Sequence, residues 1–522
     1  MTAEPYFSAR VVGDRVEIKG VLACRLGHRL PSAKGTRPDG VFAGWAWDGS
    51  RLEVCNDRYG FYPLYYFAAD RYIGVSTSLH TLLALGAPRD LDEAALAVFL
   101  RLGCFIGDDT PFAAIRTVPP DADFTWRPGS LRVTGRLALG KAHGLDRDEA
   151  IDAYITLFRR AMEKRVGPDA STAVPLSGGQ DSRHILFELA TSGRTPSVAV
   201  TVRYPSPMRS EEVEAGAVTA RLGVRHVVLD QTDSIFNAMQ RAIARQNLCS
   251  VDHAWILPLV DYVGGRFEAI YDGIGGDVLS AGLFLDRERL ALFESGRLAA
   301  LAEQLAGRPV IPPVPGASLG RRLNNGVAQE RLRRELERHA DAPNPLSSFI
   351  FWNRTRRCIG QSAYRLIQAV PLVFSPYLDH EVYDLLAGLP ASMLVDHDFH
   401  TEAIHRAYPW AAGLPYAPKP GALPGGSPAR AKFNRQLLAY ALRRPVSQAV
   451  RQTYLLPRLI RCLVDREYAG SGEWLGRDAL YLWALQDAIR GPDVAPEAPR
   501  NEGPALWWCC RDQAGCHRCS AI

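Results

Sequence analysis

From about residue 172 to residue 229, short apolar strands alternate with helical segments: a strand over 172–176, a helix over 181–192 closed by Gly193, a strand over 197–202, a helix over Glu211–Leu222 closed by Gly223, and a strand over 226–229. This alternation argues for a parallel sheet with helices on both faces. The first strand runs straight into Ser177-Gly178-Gly179-Gln180-Asp181-Ser182, which opens the next helix. Two glycines let the backbone approach an anion closely, and a helix N-terminus offers free N–H groups and the positive end of the helix dipole. Ser177 and Ser182 add hydroxyl donors. Asp181 is a poor phosphate contact alone but a good Mg²⁺ ligand, and the metal would bridge it to pyrophosphate oxygens. The bland alternative is a plain Gly/Ser strand-to-helix turn.

The rest of the chain divides around this segment. Up to about residue 139 it reads as short antiparallel strands with few helices. Arg10-Val11-Val12 and Val16-Glu17-Ile18 flank a Gly13-Asp14 hairpin signal, and Phe42 to Trp47 alternates large and small residues before a turn at Asp48-Gly49. A helical stripe of Ile151, Tyr154, Ile155, Phe158, Ala161 and Met162 follows, with Asp146 as N-cap and Glu149 three residues on. After Gly282 the pattern is mostly helical, broken at 309–315 and 414–428. The 522 residues call for two or three domains: 1–145, 146–490 and a Cys-rich tail over 491–522. A net charge of +5 over this length does not argue for nucleic acid, and no run approaches the ~18 apolar residues of a membrane span, so the expected location is cytoplasmic and most of the ten cysteines are read as thiols.

The hexapeptide at 177–182 resembles the pyrophosphate-binding PP-loop of ATP pyrophosphatases. Further segments resemble the asparagine-synthetase-like (class B) members of that group, in the same order: Asn56-Asp57-Arg58-Tyr59-Gly60 and Ile115 to Pro120 in a glutaminase-type domain, Asp272-Gly273-Ile274-Gly275-Gly276-Asp277 as a second ATP-site motif, Phe374-Ser375-Pro376-Tyr377-Leu378-Asp379, and Tyr416 to Gly421 with Lys419. The resemblance implies an α+β, Ntn-hydrolase-like sandwich (a degenerate glutaminase) followed by an α/β PP-loop domain with helical additions. It implies ATP bound by Leu176, Ser177, Gly178, Gly179, Asp181, Ser182, Val200, Asp272, Gly273 and Lys419. It implies Mg²⁺ held by Asp181 and Asp277, with Asp277 and Lys419 serving the chemistry.

The departures from the family pattern shape the expected activity. A working glutaminase of this type has a cysteine at position two as nucleophile; here Thr2 stands there, so the amine is expected to come from the substrate itself. Two branches share that logic, the β-lactam synthetases and the lasso-peptide macrolactam synthetases. The third residue of the second ATP motif is a tyrosine in the former and a glutamate in asparagine synthetases. Here it is Ile274, which moves no proton. An α-amine, with a pKa near ~8, needs less help than an amide, which favours closure of a macrolactam between a peptide N-terminus and an Asp or Glu side chain. The implied partners are a peptide precursor and a leader-peptide protease or recognition protein. β-Lactam synthesis, an ammonia-using asparagine synthetase and a non-catalytic nucleotide-binding scaffold remain as alternatives. Three smaller signals stay open: Asp252-His253, the arginines Arg354, Arg356 and Arg357 (a solvated face or an anion contact), and Cys509, Cys510, Cys516, His517 and Cys519 (an exposed tail or zinc).

Overall fold

The computed structural model describes residues 4–30, 37–167, 171–203, 211–307, 313–417 and 427–491. Thr2, Lys419 and the tail cysteines lie outside them.

The N-terminal part is two antiparallel sheets. β1 (Tyr6–Val12) and β2 (Arg15–Gly20) form the expected hairpin, turning at Gly13 with φ +59° and Val12 opposite Arg15. They are followed by β3 (Ala23–Leu30), β4 (Asp39–Trp47), β5 (Leu52–Asn56), β6 (Tyr65–Ala69), β7 (Tyr72–Ser76), β8 (Ile115–Thr117), β9 (Asp123–Arg127) and β10 (Ser130–Thr134). The sheet orders are β2-β1-β7-β6-β8 and β10-β9-β5-β4-β3. Side chains alternate across each strand, so Phe7, Ala9, Ile73 and Val75 of one sheet meet Trp45, Val54, Phe124 and Trp126 of the other in a single core. Helices Leu79–Ala84 and Glu93–Leu102 are inserted between β7 and β8.

Helix Arg147–Lys164 follows, closed at its start by a reciprocal capping box between Asp146 and Glu149. Its apolar stripe is buried as the spacing predicts. The second part is a five-stranded sheet of β11 (Thr172–Pro175), β12 (Val198–Arg203), β13 (His226–Asp230), β14 (Ala269–Tyr271) and β15 (Leu372–Phe374), in the order β13-β12-β11-β14-β15. Every pairing in it is parallel. The chain moves outward from β11 to β12 to β13 on one side, then returns to place β14 on the other side of β11. Loops leaving the C-terminal ends of β11 and β14 therefore diverge, and in open parallel sheets ligands bind at such a switch point.

Helices fill the region between β14 and β15. The last two, Phe351–Ile359 and Gln361–Leu366, are π-wound, an uncommon form concentrated at functional sites. The solvated-face reading of the arginine cluster is corrected here for two of its members. Arg356 and Arg357 are 3% and 2% exposed, because Arg356 donates to Gly107 O and to the Asp108 carboxylate, and Arg357 donates to the carbonyls of Gly107 and Asp109 in the N-terminal part.

Other polar contacts tie the two parts together, one buried through Arg165 and one at the surface through Arg58. Arg165 donates to Asp379 at 2.8 Å and to Asp39 at 3.3 Å, and Arg58 donates to Asp384 at 3.0 Å. The Asn56 to Gly60 segment is held by Asp57, whose carboxylate accepts from the N–H groups of Tyr59 and Gly60, both at 2.8 Å. Cys24, Cys55, Cys104, Cys249, Cys358 and Cys462 are free thiols. No described helix is long and apolar enough to cross a membrane.

Candidate active site

Two glycine loops converge at the switch point. After β11, Leu176 donates its N–H to Val200 O at 2.8 Å, which sets these two residues side by side on neighbouring strands. The Oγ of Ser177 accepts the Gly179 N–H at 3.1 Å and meets Ser182 Oγ at 3.2 Å, and Ser182 Oγ also accepts the Ser177 N–H at 3.1 Å. These short-range bonds curl the loop over the start of helix Asp181–Thr191. Ala417 donates to Gly178 O at 3.0 Å, and a Cβ on Gly178 would stand 2.1 Å from that of Ala417. Glycine at 178 is what lets the 413–417 segment lie on the loop.

The second loop follows β14. Asp272 donates its N–H to Phe374 O at 2.8 Å and accepts the Ile274 N–H at 2.8 Å. Gly275 takes φ +91°, a left-handed value that suits glycine, and turns the chain into helix Gly276–Leu279. Here the two loops touch. The Asp277 N–H donates to Asp181 Oδ2 at 3.1 Å. A Cβ on Gly273 would meet Asp181 Cβ at 2.8 Å, and one on Gly276 would meet the Asp181 carboxylate at 2.7 Å. The glycines of the second motif thus make room for the aspartate of the first.

The electrostatics follow from this crowding. Burial and the neighbouring Asp181 carboxylate push Asp277 up to about 7, and burial raises Asp272 to about 6. Both groups resist losing their protons next to another acid.

Several residues without a sequence signal complete the site. His400, on helix Phe399–Ala407, is fully buried and places Nδ1 3.3 Å from Asp181 Oδ1 and 3.0 Å from Ser280 Oγ. Its Nε2 lies 3.2 Å from His184 Nδ1 and 3.4 Å from Tyr154 Oη. His184 stacks on Phe158 with ring centroids 3.8 Å apart, and burial drives its pKa well down. Tyr377 donates its hydroxyl to Asp181 O at 3.1 Å. The Asp181 carboxylate is therefore fixed from behind, while its side chain keeps 23% exposure. A solitary histidine on a helix carries no pattern in sequence. Tyr377 sat inside a segment already singled out, but its role needed the fold.

Of the residues singled out from sequence, Leu176, Ser177, Gly178, Gly179, Asp181, Ser182, Asp272, Gly273 and Asp277 follow the C-terminal ends of β11 and β14, and Val200 lies within β12 beside Leu176. Lys419 lies outside the described residues. Asp252 and His253 follow helix Ile235–Arg245, with Asp252 Oδ2 accepting from Cys358 Sγ at 3.6 Å. Among the described residues no three His, Cys, Asp or Glu side chains group as metal ligands. A separate cavity of about 400 Å³, lined by Arg116, Arg331, Arg338, Asp108 and Asp109, involves none of the residues of the two loops.

Residues 153–408 match the sequence profile of asparagine synthase. This segment belongs to the asparagine-synthetase-like family. A curated relative, the carboxyethyl-arginine beta-lactam-synthase of Streptomyces clavuligerus, is 27% identical over 256 residues, 47% of each chain. The chain thus spans about half the length of the curated relative it matches. Among solved structures, the NMN synthetase of Francisella tularensis is similar at 15% identity over 40% of this chain and 93% of that one, with a TM-score of 0.20, too low to carry a structural argument. The two glycine loops, 177–182 and 272–277, both fall inside the family match.

Proposed function

We propose that this protein forms an amide bond at the expense of ATP. The carboxylate oxygen of the substrate attacks the α-phosphorus, the bond to the β-phosphate breaks and pyrophosphate leaves. An amine of the same molecule then attacks the acyl carbon, gives up a proton, and AMP departs with the C–O electron pair. The observation that carries this reading is the meeting of two acid-bearing glycine loops at the switch point, with the Asp277 N–H on Asp181 at 3.1 Å.

The donor set fits Mg²⁺. Asp181 and Asp277 offer only oxygen, suited to a hard cation that takes one or two carboxylates and completes its shell from phosphates and water. Bound there, the ion would neutralise pyrophosphate charge. The first loop's free N–H groups cradle phosphates. Leu176 and Val200 wall the nucleotide, Asp272 and Gly273 line its other side, and Lys419 stabilises charge developing on pyrophosphate. The two-sheet N-terminal part is read as a degenerate glutaminase-like sandwich.

Ile274, 5% exposed, stands where a proton-moving side chain would serve a poorly nucleophilic nitrogen. This favours a free amine, and with it macrolactam closure between a peptide N-terminus and an Asp or Glu side chain, as in lasso-peptide maturation. A peptide precursor is then the substrate and a leader-peptide protease or recognition protein the partner. β-Lactam synthesis is the second reading, favoured by the Streptomyces relative and disfavoured by Ile274. The test is a mass-spectrometric screen with MgATP of short peptides bearing a free N-terminus and an internal Asp or Glu, beside carboxyethyl-arginine. Macrolactam closure predicts ATP-dependent loss of one water from a peptide. The same loss from carboxyethyl-arginine alone replaces it with β-lactam synthesis.

A further inference from the structure

The three arginines of the π-wound helix Phe351–Ile359 have different fates. Arg356 and Arg357 are held by the carbonyls of Gly107 and Asp109 and by the Asp108 carboxylate. Arg354 is half-buried and makes no hydrogen bond or ion pair with any described residue; its guanidinium carbon lies 4.9 Å from the ring of Phe284.

Its position is fixed by its neighbours. Phe351, three residues earlier on the helix, packs on the second glycine loop, where a Cβ on Gly275 would meet it at 3.6 Å. Leu283, beside Phe284, donates to Asp277 O at 3.0 Å. The guanidinium therefore stands against the loop that carries Asp277, near enough that its charge opposes the rise of the Asp277 pKa, yet it makes no direct bond to that carboxylate. One turn further along, Cys358 contacts Asp252 at 3.6 Å. The adjacent His253 has a left-handed backbone at φ +64° and a buried Nδ1 without a partner. Phe284 is left-handed too, at φ +68°, and 40% exposed, as is Trp255. Non-glycine residues held at such angles are strained and cluster at ligand sites. A partly desolvated guanidinium whose N–H groups have no acceptor among the described residues is costly as well, and an arriving anion supplies that acceptor.

A planar guanidinium matches an oxyanion in a two-pronged contact. Carboxylate and phosphate share that chemistry. The first loop already offers the N–H groups suited to phosphate, whereas the exposed Phe284 ring beside Arg354 suits the body of an organic acid. We propose that Arg354 anchors a carboxylate of the acyl substrate at the Asp277 end of the site, with Phe284 flanking it. This rests on the activation reading above.

The full chain is treated with phenylglyoxal and modification of Arg354 is followed by peptide mass spectrometry, with Arg356 and Arg357 as buried internal controls. Arg354 should react, and glutarate should protect it. Protection by pyrophosphate alone would give the guanidinium to the nucleotide phosphates and overturn the substrate assignment. Absence of labelling, or labelling slowed by neither anion, would overturn it as well. In Arg354→Gln, glutarate affinity measured by titration should fall roughly tenfold to a hundredfold, the worth of a charge-assisted hydrogen bond. Titration of MgATP on the same samples separates the two claims. Glutarate protection in a chain that does not bind MgATP refutes activation and leaves the anchor standing. Normal MgATP binding without glutarate protection refutes the anchor alone.

Discussion

Gly276→Ala should injure nucleotide binding far more than folding. Gly276 has helical backbone angles and opens helix Gly276–Leu279, so alanine is acceptable to the backbone and gains up to ~1 kcal/mol of helix propensity. The added Cβ, however, would lie 2.7 Å from Asp181 Cγ and Oδ1 and 3.0 Å from Tyr377 Cε2. Ordinary carbon contacts are about 3.5–4.0 Å, so something must retreat by about 0.8 Å. Tyr377 is fully buried and tied by its hydroxyl to Asp181 O at 3.1 Å. The partly exposed carboxylate yields instead, away from the Asp277 N–H and from His400. Overpacking of this kind costs about 1–3 kcal/mol, which the propensity gain partly offsets, leaving roughly 0–2 kcal/mol of lost stability. Removing a carboxylate from its metal-binding position costs a charge-assisted interaction of about 1.5–3 kcal/mol, or roughly tenfold to a hundredfold in MgATP affinity. Thermal denaturation and MgATP titration give the two numbers. Gly320→Ala is the control, since the nearest heavy atom to its Cβ would be 3.7 Å away. Wild-type MgATP affinity in folded Gly276→Ala would refute the packing argument that fixes Asp181.

Three other outcomes are expected. Lys419→Ala should lower the single-turnover rate by ~10²–10³ with little change in ATP affinity, since a preorganised charge acts on the transition state; equal losses in both would make the lysine a ground-state anchor. Arg165→Ala should destabilise the fold in urea by about 1–4 kcal/mol, because it removes the buried cation shared by Asp379 at 2.8 Å and Asp39 at 3.3 Å and leaves Asp379 only Lys164 at 3.2 Å; a change within error would contradict the pairing. Burial alone would raise Glu335, but His339 at 3.9 Å and the guanidinium groups of Arg338 and Arg331, each donating to it at 3.0 Å, hold it down at about 2. Its contribution, on the order of 3 kcal/mol, is complete above the ordinary carboxylate range near 4.5 and drains away as pH falls toward about 2, so the stability gap between wild type and Glu335→Gln should close over that window; a gap unchanged by pH would remove the ion cluster from the account.

The two loops were legible because each is a local event: an apolar strand, glycines, an acid, a helix start. The helix at 147–164 was legible for the same reason, since its capping box lies within four residues of sequence. What the sequence hides is where those events meet. The switch point exists because β14 pairs with β11 and not with β13, a long-range choice that alternation alone does not make. His400 reaches Asp181 only after helix Phe399–Ala407 packs behind the first loop. Arg356 and Arg357 read as a charged helix face because their acceptors at 107 and 109 belong to the other part of the molecule, and because a π-wound helix does not follow the 3.6-residue period that assigns faces.

The central claim is most directly tested by the position of the bond broken in ATP. Phosphorus NMR of the full chain turning over MgATP with a substrate from the peptide screen should show AMP and pyrophosphate rising together, in equal amounts with the new amide. Appearance of ADP and inorganic phosphate as the stoichiometric products would contradict activation through an acyl-adenylate.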